Sequence, residues 1–141
     1  MRIVVPTDGS AASTIALGDL LSRLAWFAQA PTLALIHVHE KIPYARAVAR
    51  AGKDVAQRYY DEESDAALAP GIALLEAAGV TFEHVWRVGD PAREIVAFAA
   101  EWKADCIAIG RHGHSAFEKL LLGSVAQKVV AASTLPVLLL A

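Results

Sequence analysis

The sequence has little sulfur and almost no excess charge. It holds one cysteine and one methionine in 141 residues, and its formal net charge is −2. Because a single cysteine cannot form an internal disulfide, a reducing cytoplasm is the expected setting. A nucleic-acid-binding domain usually carries a basic surplus or stripe, so the charge balance argues against that class.

Long apolar runs are also missing. No stretch approaches the roughly 18 residues of a membrane-spanning helix. The apolar start, Ile3–Val5, is too short for a secretory leader and is soon followed by a turn. We therefore expect a cytoplasmic protein without a membrane segment. The composition, 55% hydrophobic and 20% charged, predicts a substantial core, and the length suits one domain over residues 1–141.

Short aliphatic runs alternate with segments of helical periodicity. Strands are predicted at 2–6, 32–38, 81–87, 106–109 and 137–140. Helices are predicted from Ser10 to about Gln29, over 53–78, after the cap Asp90, and from Ser124. Pro70 is expected to kink or split the second helix. The alternation predicts an α/β domain of three layers with a mainly parallel sheet.

Glycines stand at both ends of the loop between the fourth strand and the last helix. They are Gly110, Gly113 and Gly123, and Ser124 begins the helix. Glycines let a ligand approach the main chain, and a helix N-terminus attracts phosphate. The loop matches neither the Walker A pattern nor Gly-x-Gly-x-x-Gly. An anion site and a purely structural turn therefore remain equal alternatives.

Asp8 follows the first strand and has two possible roles. It can stabilise the turn at Asp8-Gly9-Ser10 by bonding its own backbone. It can also accept hydrogen bonds from a ribose hydroxyl or a base amine, as acidic residues do in nucleotide-binding α/β folds. Ligands in such sheets bind where the strand order reverses. If the first and fourth strands are neighbours there, Asp8 and the glycine loop face one cleft.

Two histidine pairs have the form His-x-His: His37 with His39, and His112 with His114. The first pair lies on one face of a strand end, but a metal site needs three or four ligands and no third partner is evident. We therefore predict no metal site. The second pair is interpreted as lining the glycine loop near a phosphate.

No side chain is assigned a catalytic role. Ser10 and Ser124 both stand at helix starts, where capping is the usual function of serine, and no Gly-x-Ser-x-Gly elbow is present. Trp26, Phe98 and Trp102 recur at helical core spacing and are predicted to pack in the core.

Three stretches resemble the universal stress protein family. The opening Val5–Ser10 resembles the start of the family, and Gly110-x2-Gly113-x9-Gly123-Ser124 resembles its ATP-binding signature. The terminal Leu135–Leu139 is similar to its last strand. The resemblance covers essentially the whole chain. It implies a Rossmann-like fold of the adenine nucleotide alpha hydrolase-like type, with a five-stranded parallel sheet of order 3-2-1-4-5.

The resemblance further implies an ATP binder, because all three glycines and the serine are present. On the adenine and ribose side, the implied contacts are Pro6, Thr7, Asp8, Val38 through its backbone, and Ile109. On the ribose and phosphate side, they are Gly110, Gly113, Gly123, Ser124 and Val125.

The loop departs from the family pattern at three positions. His112 and His114 stand where relatives often carry arginine, so phosphate would be held less strongly and with some dependence on pH. Ala116 stands where many relatives have another glycine, which would stiffen the loop.

The function implied is regulatory or sensory binding of ATP, with Mg²⁺ allowed beside Ser124. No general base or metal-binding carboxylate pair is apparent at the loop, so we expect slow or no hydrolysis, at most weak ATPase or autophosphorylation. The alternatives are a nucleotide-hydrolysing enzyme of the same superfamily and an interaction module that has lost the ligand. The apolar strand Val137–Leu140 would leave an exposed sheet edge, so we expect a homodimer through it.

Overall fold

The computed structural model describes residues 1–41, 50, 52–113 and 122–141. The strands are β1 (Arg2–Pro6), β2 (Thr32–His39), β3 (Phe82–Val88), β4 (Cys106–Gly110) and β5 (Val137–Leu140). The helices are α1 (Ala11–Ser22), α2 (Lys53–Ala78), α3 (Pro91–Glu101) and α4 (Ser124–Ala132), with a 3₁₀ turn at Leu24–Trp26.

The five strands form one parallel sheet in the order β3-β2-β1-β4-β5. This confirms the expected order. The central strand β1 pairs with both β2 and β4, since Ile3 is opposite Leu33 on one side and Cys106 on the other. The chain builds the sheet outwards from β1 in one direction and then from β4 in the other. The strand order therefore reverses between β1 and β4, where parallel sheets place their ligands.

Alternate residues of each strand face opposite helical layers. Ile3 and Val5 pack in a core with α1 and α2, whereas Val4 packs in a second core with α3 and α4. The strands are apolar on both faces because helices cover both, as expected for a parallel sheet. The carboxyl ends of β1 and β4 thus lie at one edge of a sheet that helices cover on both faces.

The helix α2 runs unbroken through Pro70, so it is not split there, and the expected alternative of a kink stays a prediction. Its buried stripe includes Leu68, Gly71 and Leu75, and the leucines belong to the core under the sheet. Proline removes one helical hydrogen bond, but helix stability in proteins comes mostly from tertiary packing. Packing along this stripe outweighs the local penalty.

The first helix ends earlier than predicted. It stops at Ser22, and the following 3₁₀ turn leaves Trp26 73% exposed beneath the Arg23 guanidinium, 5.2 Å from the ring centroid. The expectation that Trp26 packs in the core was wrong, because the change of helix type alters the rotation per residue. Phe98 is buried as predicted, and Trp102 packs partly against the same core.

The strand β5 forms one edge of the sheet, and Leu139 on it is 42% exposed. Across the described ranges, no helix combines the length and apolar character that a bilayer crossing requires.

Candidate functional site

A cleft of about 280 Å³ lies at the carboxyl ends of β1 and β4, where the strand order reverses. Its size approaches the lower end of the range for small-molecule sites, about 300–1,000 Å³. It is lined by Pro6, Thr7, Asp8, Ser13, Glu40, Ile109, Gly110, Arg111, His112, Gly113, Gly123, Ser124, Val125 and Ala126.

The turn after β1 forms one wall of the cleft. The Thr7 N–H donates to the Ile36 carbonyl at 2.8 Å, which extends the pairing with β2 by one residue. The Asp8 Oδ1 atom accepts from the Ser10 N–H at 3.0 Å and from the Ser10 hydroxyl at 2.5 Å. Asp8 therefore stabilises the turn and lines the cleft at once, so the two roles weighed from the sequence are compatible.

The main chain around β4 and the start of α4 forms the opposite wall. The Arg111 N–H donates to the Leu140 carbonyl at 3.0 Å, and the Gly123 N–H donates to the Arg111 carbonyl at 2.6 Å. These bonds fix the start of the glycine loop to its end. A Cβ added at Gly123 would lie 3.1 Å from the Arg111 oxygen, so a larger residue there would push the two segments apart by a few tenths of an ångström.

Gly113 brings the two walls together. A Cβ built on Gly113 would lie 2.6 Å from Asp8 Oδ2, closer than real Cβ contacts allow. The first turn and the glycine loop thus meet across the cleft, as predicted for neighbouring strands at the reversal. A side chain at position 113 would occupy the space of the carboxylate.

The N-terminus of α4 opens onto the cleft without a side-chain cap. The helices α1 and α3 are capped by Ser10 and Asp90, whose side chains accept from backbone N–H groups in the first turn. The corresponding position of α4 is Gly123, and no described side chain caps this helix. Since Ser124, Val125 and Ala126 all line the cleft, first-turn N–H groups are presented to it. Such groups, together with the helix dipole, bind anions.

Charged side chains are divided between the two sides of the cleft. Asp8 and Glu40 follow β1 and β2, whereas Arg111 and His112 follow β4. One side therefore offers carboxylate acceptors, and the other offers a guanidinium, an imidazole and a helix N-terminus. This polarity suits a ligand with hydroxyl or amine donors at one end and negative charge at the other.

Most of the residues predicted from the sequence line this cleft. They are Pro6, Thr7, Asp8, Ile109, Gly110, His112, Gly113, Gly123, Ser124 and Val125. Val38 is not a lining residue. Its side chain packs against the core beneath α3 and α4, and the predicted contact through its main chain stays a prediction. His114 and Ala116 lie outside the described residues.

Sequence reasoning missed four lining residues: Ser13, Glu40, Arg111 and Ala126. Glu40 and Arg111 each come directly after a strand, so the rule that ligands gather at carboxyl ends could have found them. Ser13 and Ala126 lie in the first turns of α1 and α4. They enter the cleft because both helices begin at the same edge of the sheet.

The histidine pair on β2 lies next to the cleft. The rings of His37 and His39 meet edge to face with centroids 5.7 Å apart, and the His37 Nδ1 atom lies 3.0 Å from the Thr7 carbonyl oxygen. Burial, and to a lesser extent the charge of His39, lowers the pKa of His37. In the part of the chain that the structure describes, no three His, Cys, Asp or Glu side chains are grouped to bind a metal ion.

The family model described as "Universal stress protein family" matches residues 1–141. This chain belongs to the universal stress protein family. It is 35% identical to the universal stress protein MJ0531 of Methanocaldococcus jannaschii over 137 residues, covering 97% of this chain and 79% of that protein. It is 32% identical to the universal stress protein YxiE of Bacillus subtilis, covering 98% and 97% of the two chains.

Solved structures of this family share the fold. The structure of the M. jannaschii protein MJ0577 is 28% identical, with a TM-score of 0.80 over 99% of this chain and 94% of that one. A universal stress protein solved in complex with cAMP is 27% identical, with a TM-score of 0.60 over 99% and 95% of the two chains.

Proposed function

We propose that this protein binds an adenine nucleotide, with ATP as the main ligand, and holds it as a regulatory or sensory signal in a stress response. The observation that carries the proposal is the uncapped N-terminus of α4 facing the Asp8 carboxylate across a cleft with glycine main chain in its wall. The cAMP complex of a relative with the same fold supports an adenine nucleotide as the ligand.

The charge distribution sets the orientation of the nucleotide. The phosphates lie at the first turn of α4, on Gly123, Ser124 and Val125, with Arg111 and His112 beside them. The ribose lies over Gly110 and Gly113. The base lies towards β1 and β2, between Pro6, Thr7 and Ile109 and next to the main chain of Val38, and Asp8 accepts a hydrogen bond from ribose or adenine.

The protein holds the nucleotide more than it consumes it. Beside α4, His112 is the only described lining side chain of a type that commonly serves as a general base. The carboxylates Asp8 and Glu40 follow strands on the other side. Mg²⁺ prefers oxygen ligands, and the Ser124 hydroxyl fits as one beside phosphate oxygens. There it would neutralise phosphate charge.

A glycine substitution tests binding. The backbone of Gly123 is extended, with φ −68° and ψ 157°, so valine can adopt it without strain, but its side chain would crowd the Arg111 carbonyl and the entry to α4. We expect Gly123→Val to abolish binding of ATP in calorimetry. Gly18→Val is the matched control, because nothing lies within 4 Å of a Cβ at that helical position.

Mass spectrometry of ligand released from freshly purified, denatured protein identifies the physiological nucleotide. The proposal fails if no nucleotide co-purifies and calorimetry with ATP, ADP, AMP and cAMP shows no binding. Phosphate release at about 1 s⁻¹ or faster, in the range of ordinary enzymes, would favour the hydrolase alternative. In that case, His112→Gln should reduce turnover without an equal loss of affinity.

We also propose a homodimer formed through β5. Among the described strands, β5 lies at an edge of the sheet and pairs with a neighbour on one side only, and its exposed Leu139 adds apolar surface. A second copy would continue the sheet.

The cytoplasm is the proposed location. The single thiol, Cys106, is buried in β4, and burial raises its pKa, which keeps it protonated and unreactive. A fold stabilised without disulfides suits a reducing compartment. Cell fractionation with an antibody against the protein checks this assignment.

A further inference from the structure

A histidine of β2 is hydrogen-bonded to the turn that carries Asp8. The His37 Nδ1 atom lies 3.0 Å from the carbonyl oxygen of Thr7, the first residue beyond β1. The Thr7 N–H donates to the Ile36 carbonyl at 2.8 Å. Thr7 is therefore bound to β2 through both of its backbone groups, once by ordinary strand pairing and once by a side chain.

The Thr7 side chain transmits this constraint to the wall of the cleft. Its Oγ1 atom accepts from the Gly9 N–H at 3.2 Å and lies 3.0 Å from the Ser13 hydroxyl. Asp8, between Thr7 and Gly9, accepts from Ser10. These hydrogen bonds join residues that are close together in the chain. A rotation of the peptide group that carries the Thr7 carbonyl would therefore displace the Asp8 carboxylate and the Ser13 hydroxyl together.

The surroundings of His37 determine which ring nitrogen carries the proton. The ring is half-buried against His39, which in turn meets the ring of Tyr60 at a centroid distance of 5.0 Å. Asp8 and Glu63 are the carboxylates that act on it, but burial has the larger effect and lowers the pKa of His37. The imidazole is therefore neutral at pH 7.5. Since a carbonyl oxygen only accepts, the Nδ1 atom is the protonated one.

We infer that His37 is a positioning residue of the nucleotide site, which donates from Nδ1 to the Thr7 carbonyl and so fixes the Thr7–Asp8 turn in its binding conformation. This inference rests on the proposed nucleotide binding. If His37 only filled space, it would make no difference whether the replacing side chain keeps an N–H donor. A positioning histidine would tolerate asparagine, whose Nδ2 atom occupies nearly the place of Nδ1, and would not tolerate leucine.

The experiment compares His37→Leu and His37→Asn with the wild type and with His84→Leu, which removes an exposed histidine from another strand of the sheet. Amide hydrogen exchange of Gly9 and Ser10 is measured by NMR without ligand, with the β4 amides Ile107 and Ala108 as internal reference. The affinity for ATP is measured by calorimetry at pH 7.5.

We expect His37→Leu to speed exchange at Gly9 and Ser10 and to weaken ATP binding, each by about five- to tenfold, the size of one hydrogen bond. His37→Asn and His84→Leu should stay within about twofold of wild type on both measures. Equal losses in the leucine and asparagine variants, or no loss in either, would overturn the inference. If the leucine variant does not fold, His37→Gln is used in its place. The N–H donor of glutamine lies one bond further from the backbone, so it does not occupy the place of Nδ1 beside the Thr7 carbonyl.

The two measurements separate this inference from the proposed function. If the wild type binds no adenine nucleotide, the proposed function fails, and the exchange rates still decide whether His37 orders the turn. If the wild type binds ATP and the exchange at Gly9 and Ser10 is unchanged in His37→Leu, the proposed function stands and the positioning role of His37 is wrong.

Discussion

The contact between Gly113 and Asp8 makes a sharp prediction for Gly113→Ala. The new Cβ would begin 2.6 Å from Asp8 Oδ2, and an ordinary contact starts at 3.4 Å, so the carboxylate has to retreat by about 0.8 Å. Asp8 is also bonded to the Ser10 N–H and hydroxyl at 3.0 and 2.5 Å. A shift of that size stretches or breaks at least one of these two bonds.

The expected cost follows from those two bonds. A hydrogen bond to a charged group contributes about 1.5–3 kcal/mol, and alanine in an unstrained glycine position gains about 0.4–1 kcal/mol. We expect the free energy of unfolding to fall by about 1 kcal/mol. The affinity for ATP should fall by about tenfold or more, because the displaced carboxylate no longer meets its ligand donor.

Urea unfolding followed by tryptophan fluorescence gives the stability, and calorimetry gives the affinity. Gly18→Ala is the control, since its Cβ would enter open space on α1, and it should be neutral or stabilising with unchanged affinity. If Gly113→Ala binds ATP as tightly as wild type, Asp8 is not a ligand contact, and the assignment of the base and ribose side to β1 is refuted.

Three further changes test other parts of the structure. Gly71→Ala would place a Cβ 2.8 Å from Leu35 Cδ2 beneath α2, so we expect a net loss of about 1 kcal/mol from overpacking in urea unfolding. The lowered pKa of His37 means that the unfolded chain binds a proton more readily than the folded one. Stability should therefore fall as the pH drops below the unfolded value of about 6.5, and His37→Asn should flatten that fall in unfolding curves. Leu139→Lys should shift a dimer to monomer in light scattering, whereas Glu83→Lys on the opposite edge strand should not, and a monomeric wild type would contradict the dimer.

The sequence was sufficient to predict the fold and the site where the local residue pattern and the rules of sheet topology agree. Short aliphatic runs located the strands, and the alternation with helices required a parallel sheet. The pairing of β1 with β4 then brings Asp8 and Gly113 to one place, which the sequence had linked only conditionally. The prediction succeeded because both residues lie within three positions of a strand end, so their positions depend mainly on strand order.

Tertiary packing decided the features that the sequence left out or misjudged. Pro70 does not interrupt α2 because the stripe that includes Leu68 is held against the sheet. Trp26 has the spacing of a core residue but lies on a turn of a different helix type. Ser13 gave no signal of its own, since its place in the cleft depends on where α1 begins relative to α4. Local propensity contains none of this information.

The glycines of the signature are required for two different physical reasons, and Gly110 differs in this from Gly113 and Gly123. A Cβ at Gly110 would lie 3.0 Å from the Ala16 Cβ, inside the core beneath α1, whereas Cβ atoms at Gly113 and Gly123 would meet groups that line the cleft. We therefore expect Gly110→Ala to destabilise the fold by about 1–3 kcal/mol through overpacking. Ala16→Gly should cost about 1 kcal/mol alone, from helix propensity, but should relieve the clash. In a double-mutant cycle by urea unfolding, the pair should recover at least about 1 kcal/mol. Additive losses would mean that α1 does not constrain Gly110, which would leave the ligand as the reason for glycine at that position.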